Sequence, residues 1–157
     1  MNSLNESLIK SAPTVAKDSD KIREMFEGDN AENIKKLIEA ARYVSRYAYC
    51  VRSHFQVGAA ILDSQGEIFK GVNIEFDNYS NTIHAEESAI AAMITNKGGR
   101  PAPIAVAVYT ITGDFPCGMC RQSLFELGGP DLVVIAVKDN GYEAMLMKDL
   151  LPRGFRL

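Results

Sequence analysis

The 157-residue chain predicts an α/β fold, a three-layer α/β/α sandwich on a mixed five-stranded sheet. Three observations carry that prediction. Short apolar runs alternate with helical periodicities in the order α-β-β-α-β-α-β-β, the pattern of a sheet covered by helices on both faces. The runs at 104–111 and 132–137 are apolar almost throughout, as expected of strands buried on two sides. The length, with 46% apolar residues, suits one domain with a substantial core.

Residues 1–28 read as an N-terminal extension, mobile or carrying one short helix with Ile22, Met25 and Phe26 as its apolar stripe; residues 29–157 read as the domain. Asp29 or Asn30 can cap a helix in which Ile34, Leu37, Ile38, Ala41, Val44 and Ala48 recur at helical spacing, ending near Cys50. Two strands follow, 56–62 and 67–74, split by the turn Asp63-Ser64-Gln65-Gly66. The loop 75–81 is polar apart from Phe76 and Tyr79. A second helix starts between Thr82 and Ala85, buries Ala89, Ile90, Met93 and Ile94, and stops at Lys97-Gly98-Gly99-Arg100-Pro101. After the strand 104–111, Pro116 opens a helix from Cys117 to about Leu127, closed by Gly128-Gly129-Pro130. The strand 132–137, a turn at Asp139-Asn140-Gly141 and a last strand at 142–147 complete the order.

Charge and cysteine usage narrow the partners. The formal charge is −3 and the pI about 5.4, which argues against a nucleic-acid partner and favours a small soluble ligand. Three cysteines, an odd number with two of them in one Cys-x-x-Cys, do not form a secreted disulfide framework. Metal binding in a reducing compartment fits better, and the expected location is cytoplasmic. The segment 1–20 has neither the apolar run of a signal peptide nor the arginines of a transit peptide, and no stretch has membrane-spanning length.

The chemistry concentrates in two motifs. His84-Ala85-Glu86 precedes Pro116-Cys117-Gly118-Met119-Cys120, with 33 positions from the histidine to the first cysteine. One imidazole and two thiolates are a natural set of three zinc ligands, and three leave the fourth tetrahedral position open for water. Residues three apart share a helix face, so Cys117 and Cys120 converge from a first turn. His84 and Glu86, two apart, converge only at the very start of a helix, where Asn81 and Thr82 are cap candidates. The positive helix ends are expected to lower the thiol pKa values. Arg121 is a candidate donor to a thiolate from behind the metal.

On these residues the chain resembles the cytidine deaminase family, of the small homotetrameric type, from about residue 30 to the C-terminus. The spaced His-x-Glu and Pro-Cys-x-x-Cys are the signature of zinc-dependent base deaminases. Ser53-His54-Phe55-Gln56-Val57-Gly58-Ala59-Ala60, Gly71-Val72-Asn73-Ile74-Glu75 and Leu150-Leu151-Pro152 extend the likeness, and within them Phe55-x-Val57-Gly58-Ala59 and Asn73-Ile74-Glu75 narrow it to free-nucleoside enzymes. The resemblance implies hydrolytic deamination of cytidine or deoxycytidine to uridine or deoxyuridine and ammonia. One Zn²⁺ per chain would be held by His84, Cys117 and Cys120, with zinc-bound hydroxide as nucleophile and Glu86 as proton shuttle. Asn73 and Glu75 would hold the ribose hydroxyls, Phe55 would pack on the pyrimidine, and Ala85 with Glu86 would read the base edge. Tyr79 and Phe155 match positions that approach a neighbour's pocket in a homo-oligomer, a tetramer by preference or a dimer.

Three departures stand out. Gln56 replaces the usual proline. Phe115 replaces a serine or threonine and can narrow or reshape the base end of the pocket. Glu87 stands where all-cysteine sites carry arginine, in keeping with the less negative His-Cys-Cys set. The alternatives are another aminopyrimidine nucleoside such as blasticidin S, a nucleic-acid-editing deaminase and a non-enzymatic zinc domain.

Overall fold

The computed structural model describes residues 14–15 and 19–157. Expectations for residues 1–13 and 16–18 lie outside the described residues. In chain order the elements are β1 (Thr14–Val15), α1 (Ser19–Glu27), α2 (Ala31–Val44), β2 (Gly58–Asp63), β3 (Ile68–Val72), α3 (Ala85–Asn96), β4 (Pro103–Tyr109), α4 (Gly118–Gly128), β5 (Val133–Lys138), β6 (Gly141–Leu146) and α5 (Met147–Leu150). Short 3₁₀ turns at Ser45–Tyr47 and Tyr79–Asn81 follow α2 and precede α3.

All five expected strands are present, in the spatial order β6-β5-β4-β2-β3, and β1 adds a two-residue strand parallel to the outer side of β6. Strands β2–β6 are rich in Val, Ile and Ala, and alternate side chains point to opposite faces. Ala60, Leu62, Ala105, Ala107, Val133 and Ile135 meet Ile22 and Met25 of α1 and Ile34, Leu37 and Ala41 of α2. Ala59, Ile61, Val106, Val108 and Val134 meet Ala85, Ala89 and Met93 of α3 and Leu124 of α4. The sandwich is therefore three layers deep, and the apolar stripe expected near residue 22 belongs to the core.

Strand direction places the site. β2 runs antiparallel to both β3 and β4, and β4 runs parallel to β5. β3, β4 and β5 thus point the same way, and their carboxyl ends share one edge. Asn73–Glu75 leaves that edge after β3, and Pro116–Cys120 follows the end of β4. Ligands of open α/β sheets bind beyond such strand ends.

Two helix ends differ from the sequence reading. Asn30 occupies the N-cap of α2, but its side chain donates to the Met25 sulfur at 3.7 Å instead of capping. The helix also stops at Val44, short of Cys50. Gly58 lies against it there: a β-carbon on Gly58 would sit 2.1 Å from the Ala41 carbonyl oxygen and 2.7 Å from Ser45 N. β2 thus approaches the end of α2 closely, a long-range contact that helical periodicity does not encode.

Candidate active site

His84 is the N-cap of α3, with extended backbone (φ −76°, ψ 154°), and Cys117 is the N-cap of α4 (φ −65°, ψ 168°). The expected cap residues Asn81 and Thr82 lie instead in and just after the 3₁₀ turn. The two helix starts bring the three ligand atoms together. His84 Nδ1 lies 3.4 Å from Cys117 Sγ and 3.3 Å from Cys120 Sγ, and all three atoms fall within 4.8 Å of one another. Tetrahedral zinc bonds of about 2.1 and 2.3 Å would separate nitrogen from sulfur by roughly 3.6 Å, so the group fits one zinc ion. No fourth His, Cys, Asp or Glu joins it among the described residues.

Burial and Glu86 push the Cys120 thiol well up from its ordinary pKa, with Cys117 adding to the effect. A zinc ion held here would favour the thiolate, and its binding would release the thiol proton.

Glu86 is 5% exposed, in the first turn of α3 beside these ligands. Burial raises its carboxyl pKa, against the opposing pull of its own backbone N–H, His84 and Cys120. A carboxyl group moved upward in a buried site can both take and give a proton near neutrality.

Glu87 has a different part. Its Oε2 accepts the backbone N–H of His84 at 2.9 Å, the carboxylate half of a capping box. A glutamate three residues after the cap position is the sequence mark of such a box, and Glu87 stands there. The expectation that Arg121 donates to a thiolate is corrected. Arg121 Nε donates to the Pro116 carbonyl at 2.6 Å and a terminal nitrogen donates to the Leu150 carbonyl at 3.1 Å. It braces the chain entering Cys117 against α5. Phe115 packs against the core cluster of α3 and α4.

Asn73 is buried, at 8% exposure, and its amide joins two backbones. Oδ1 accepts from Val57 N–H at 2.9 Å and Nδ2 donates to the Phe55 carbonyl at 2.9 Å. Glu75 Oε2 accepts from the N–H groups of Arg52 at 2.8 Å and Ser53 at 3.0 Å, while Oε1 accepts from the Ser53 hydroxyl. The Ser53 hydroxyl and these N–H groups hold the Glu75 carboxyl below its usual range, against the opposing effect of burial. Arg52, Ser53, Glu75, Tyr79 and Thr82 line an open cavity of about 320 Å³. Arg52 also pairs with Asp77. Arg52, Ser53 and Thr82 were not singled out as site residues from sequence. Phe55 is 38% exposed, Tyr79 74% and Phe155 65%, so all three present aromatic surface to solvent.

The deaminase family described as "Cytidine and deoxycytidylate deaminase zinc-binding region" matches residues 31–136. The cytidine deaminase of Mycoplasma genitalium is 34% identical over 128 residues, covering 79% of this chain and 96% of that protein. That of Mycobacterium tuberculosis is 36% identical over 110 residues, covering 70% and 80%. The crystal structure of cytidine deaminase from Burkholderia pseudomallei superposes with a TM-score of 0.71 at 37% identity, over 77% of this chain and 98% of that one. With the His-Cys-Cys group at one sheet edge and a buried glutamate beside it, the chain belongs to the cytidine and deoxycytidylate deaminase family, zinc-dependent hydrolases of the cytosine amino group.

Proposed function

We propose that this chain removes the amino group of cytidine or deoxycytidine by hydrolysis, giving uridine or deoxyuridine and ammonia, as a step of pyrimidine salvage. The observation that supports this best is the buried Glu86 beside three ligand atoms that leave one metal position open. His84 Nδ1, Cys117 Sγ and Cys120 Sγ would hold the zinc. When bound, the ion supplies the Lewis acidity that makes water a nucleophile near neutral pH.

Glu86 then manages the protons. Its carboxylate takes one from the attacking water and delivers it to ring N3, then takes the second from the hydroxyl now on C4 and gives it to the departing amino group, which leaves as ammonia as the C4 carbonyl forms. Glu87 fixes the backbone of His84, and Arg121 fixes that of Pro116. Ala85 and Glu86, at the start of α3, read the base edge, and Phe55 covers the face of the pyrimidine.

Asn73 and Glu75 hold the sugar. After the internal bonds, Asn73 keeps one N–H and one oxygen lone pair, and Glu75 keeps a lone pair on Oε1. Two neighbouring hydroxyls, each donor and acceptor, match that remainder.

Residues 29–157 form the deaminase domain in this reading, with 1–28 as an extension whose helix α1 packs on its core. The chain works as a homo-oligomer, a tetramer by preference, with Tyr79 and Phe155 as aromatic surface for a second copy. It works in the cytoplasm, where the Cys117 and Cys120 thiols stay reduced. No helix among the described residues is long and apolar enough to cross a membrane.

The decisive experiment compares cytidine, deoxycytidine, cytosine and blasticidin S by loss of ultraviolet absorbance, with and without a chelator. Cytidine and deoxycytidine turnover that chelation abolishes and zinc restores is expected. Turnover of blasticidin S alone would overturn the nucleoside assignment.

A further inference from the structure

Ser53 sits between the two halves of the substrate site. It lies in the exposed turn that joins α2 to β2, where His54 adopts a left-handed backbone (φ 55°) and its N–H donates to the Cys50 carbonyl at 2.9 Å. Histidine enters that region only at some conformational cost. The twist brings Phe55 N–H back to Ser53 Oγ at 3.0 Å. The same hydroxyl bonds to Glu75 Oε1.

The direction of both bonds is fixed by chemistry. A backbone N–H can only donate, so the hydroxyl accepts from Phe55. An ionised carboxylate can only accept, so the hydroxyl's single proton goes to Glu75. The serine therefore presents neither a free proton nor a free choice of orientation.

The consequence falls on Glu75. Arg52 N–H and Ser53 N–H occupy Oε2, and the Ser53 proton occupies one side of Oε1. One acceptor position on Oε1 remains, and its direction is set by the serine. The backbone that the same hydroxyl anchors at its other end carries Phe55, whose carbonyl also accepts from Asn73.

We propose that Ser53 is a specificity-determining positioning residue, whose hydroxyl fixes the Glu75 carboxylate relative to Phe55 and so couples recognition of the sugar hydroxyl to seating of the base. The inference rests on the reading that Glu75 holds a sugar hydroxyl. Removing the hydroxyl frees Glu75 to turn and leaves an unpaired N–H at Phe55. Substrates that need Glu75 should lose most.

The test uses the full-length zinc enzyme and two substrates, cytidine and 2′,3′-dideoxycytidine, which lacks the two neighbouring hydroxyls at C2′ and C3′. Ser53→Ala, Ser53→Thr and Glu75→Ala are compared with the parent by kcat and KM. One charge-assisted hydrogen bond corresponds to about tenfold in binding. For Ser53→Ala the expected result is about a tenfold rise in KM for cytidine, kcat nearly kept, and a change of less than about threefold for the dideoxy substrate. Ser53→Thr keeps the hydroxyl and should restore most of the loss.

Equal losses of Ser53→Ala on both substrates, or none on cytidine, overturn the proposal if Glu75→Ala still discriminates between them. Failure of Glu75→Ala to discriminate overturns the sugar-binding reading itself, and the proposal falls with it.

Discussion

Ile74 and Ile83 exchange both of their backbone hydrogen bonds, Ile74 N–H to the Ile83 carbonyl at 2.9 Å and Ile83 N–H to the Ile74 carbonyl at 3.0 Å. Ile74 lies between Asn73 and Glu75, and Ile83 directly precedes His84. On the other side of Ile74, Tyr49 N–H donates to the Asn73 carbonyl and Glu75 N–H donates to the Tyr49 carbonyl, at 3.0 and 2.8 Å. Beyond the main sheet, two isolated β-bridges thus join three segments through Ile74. Backbone bonds tie the proposed sugar-holding pair to the histidine ligand.

That linkage separates two substitutions at one position. Ile83→Ala keeps the N–H and alters an exposed side chain, so its stability should stay within about 0.5 kcal/mol. Ile83→Pro deletes the donor and frees the Ile74 carbonyl, with an expected loss of about 1 kcal/mol and a larger rise in cytidine KM than Ile83→Ala gives. Chemical denaturation and initial rates check this, and equal KM values for the two variants would count against a backbone clamp.

Proton transfer and metal binding should part in two further variants. Glu86→Gln keeps the three ligand atoms and removes the proton carrier. It should retain about one zinc per chain while losing roughly 10²–10⁴-fold in kcat, the usual worth of general acid–base help. Cys117→Ala should lose the metal and the activity together, because two ligands remain of three. Metal analysis alongside turnover distinguishes the cases. Near-normal turnover in Glu86→Gln would sink its assigned role, and full zinc content in Cys117→Ala would sink the ligand set.

Much of this was readable in advance because the deciding signals are local. The run at 104–111 is apolar enough that only a central strand accommodates it, and β4 occupies 103–109. Cys117 and Cys120, three apart after a proline, specify a helix start, and α4 starts there. What escaped depends on distant partners. Arg121 is bound to the Leu150 carbonyl, 29 residues away, and nothing adjacent to Cys120 signals that choice. β1 pairs its two residues with Glu143 and Ala144, and two residues carry no periodicity. The rise in the Cys120 pKa follows from burial and from Glu86, both products of the tertiary fold.

Gly71 connects packing to chemistry. A β-carbon placed on it would lie 2.2 Å from Ala89 N and 2.4 Å from the Ala85 carbonyl oxygen, both backbone atoms of α3. The absence of a side chain lets α3 lie directly on β3, which fixes the helix whose first turn holds Glu86. Gly71→Ala must push the helix away, and overpacking of this kind costs about 1–3 kcal/mol or more. Activity should fall further than the fraction folded explains, because Ala85 and Glu86 move with the helix. Thermal melting and kcat/KM measured well below the melting temperature test this. A destabilised variant with unchanged kcat/KM would show that the approach of α3 to β3 does not position Glu86.

The acid limb of stability should trace to Asp63, 2% exposed at the end of β2. Burial alone would raise its pKa, but Lys97 Nζ at 2.8 Å and the N–H groups of Glu67 and Gln65 outweigh it and hold the carboxyl below its usual value. A group with its folded pKa depressed adds stability that is fully present above its unfolded pKa of about 3.9 and is lost as pH falls through the lower folded value. The partner works the other way. Asp63 and Glu67 raise the Lys97 pKa, so its share is present below about pH 10.4 and disappears only as pH rises past the folded value. Lys97→Met leaves a buried carboxylate whose burial is no longer outweighed by a cation, so its pKa climbs. The acid-induced fall in stability should then begin at higher pH than in the parent chain, with Asp63→Asn flattening that limb. Denaturation midpoints between pH 3 and 8 report both effects. Superimposable profiles for the parent and Lys97→Met would mean that the Asp63–Lys97 pair contributes nothing to the acid stability of the hairpin.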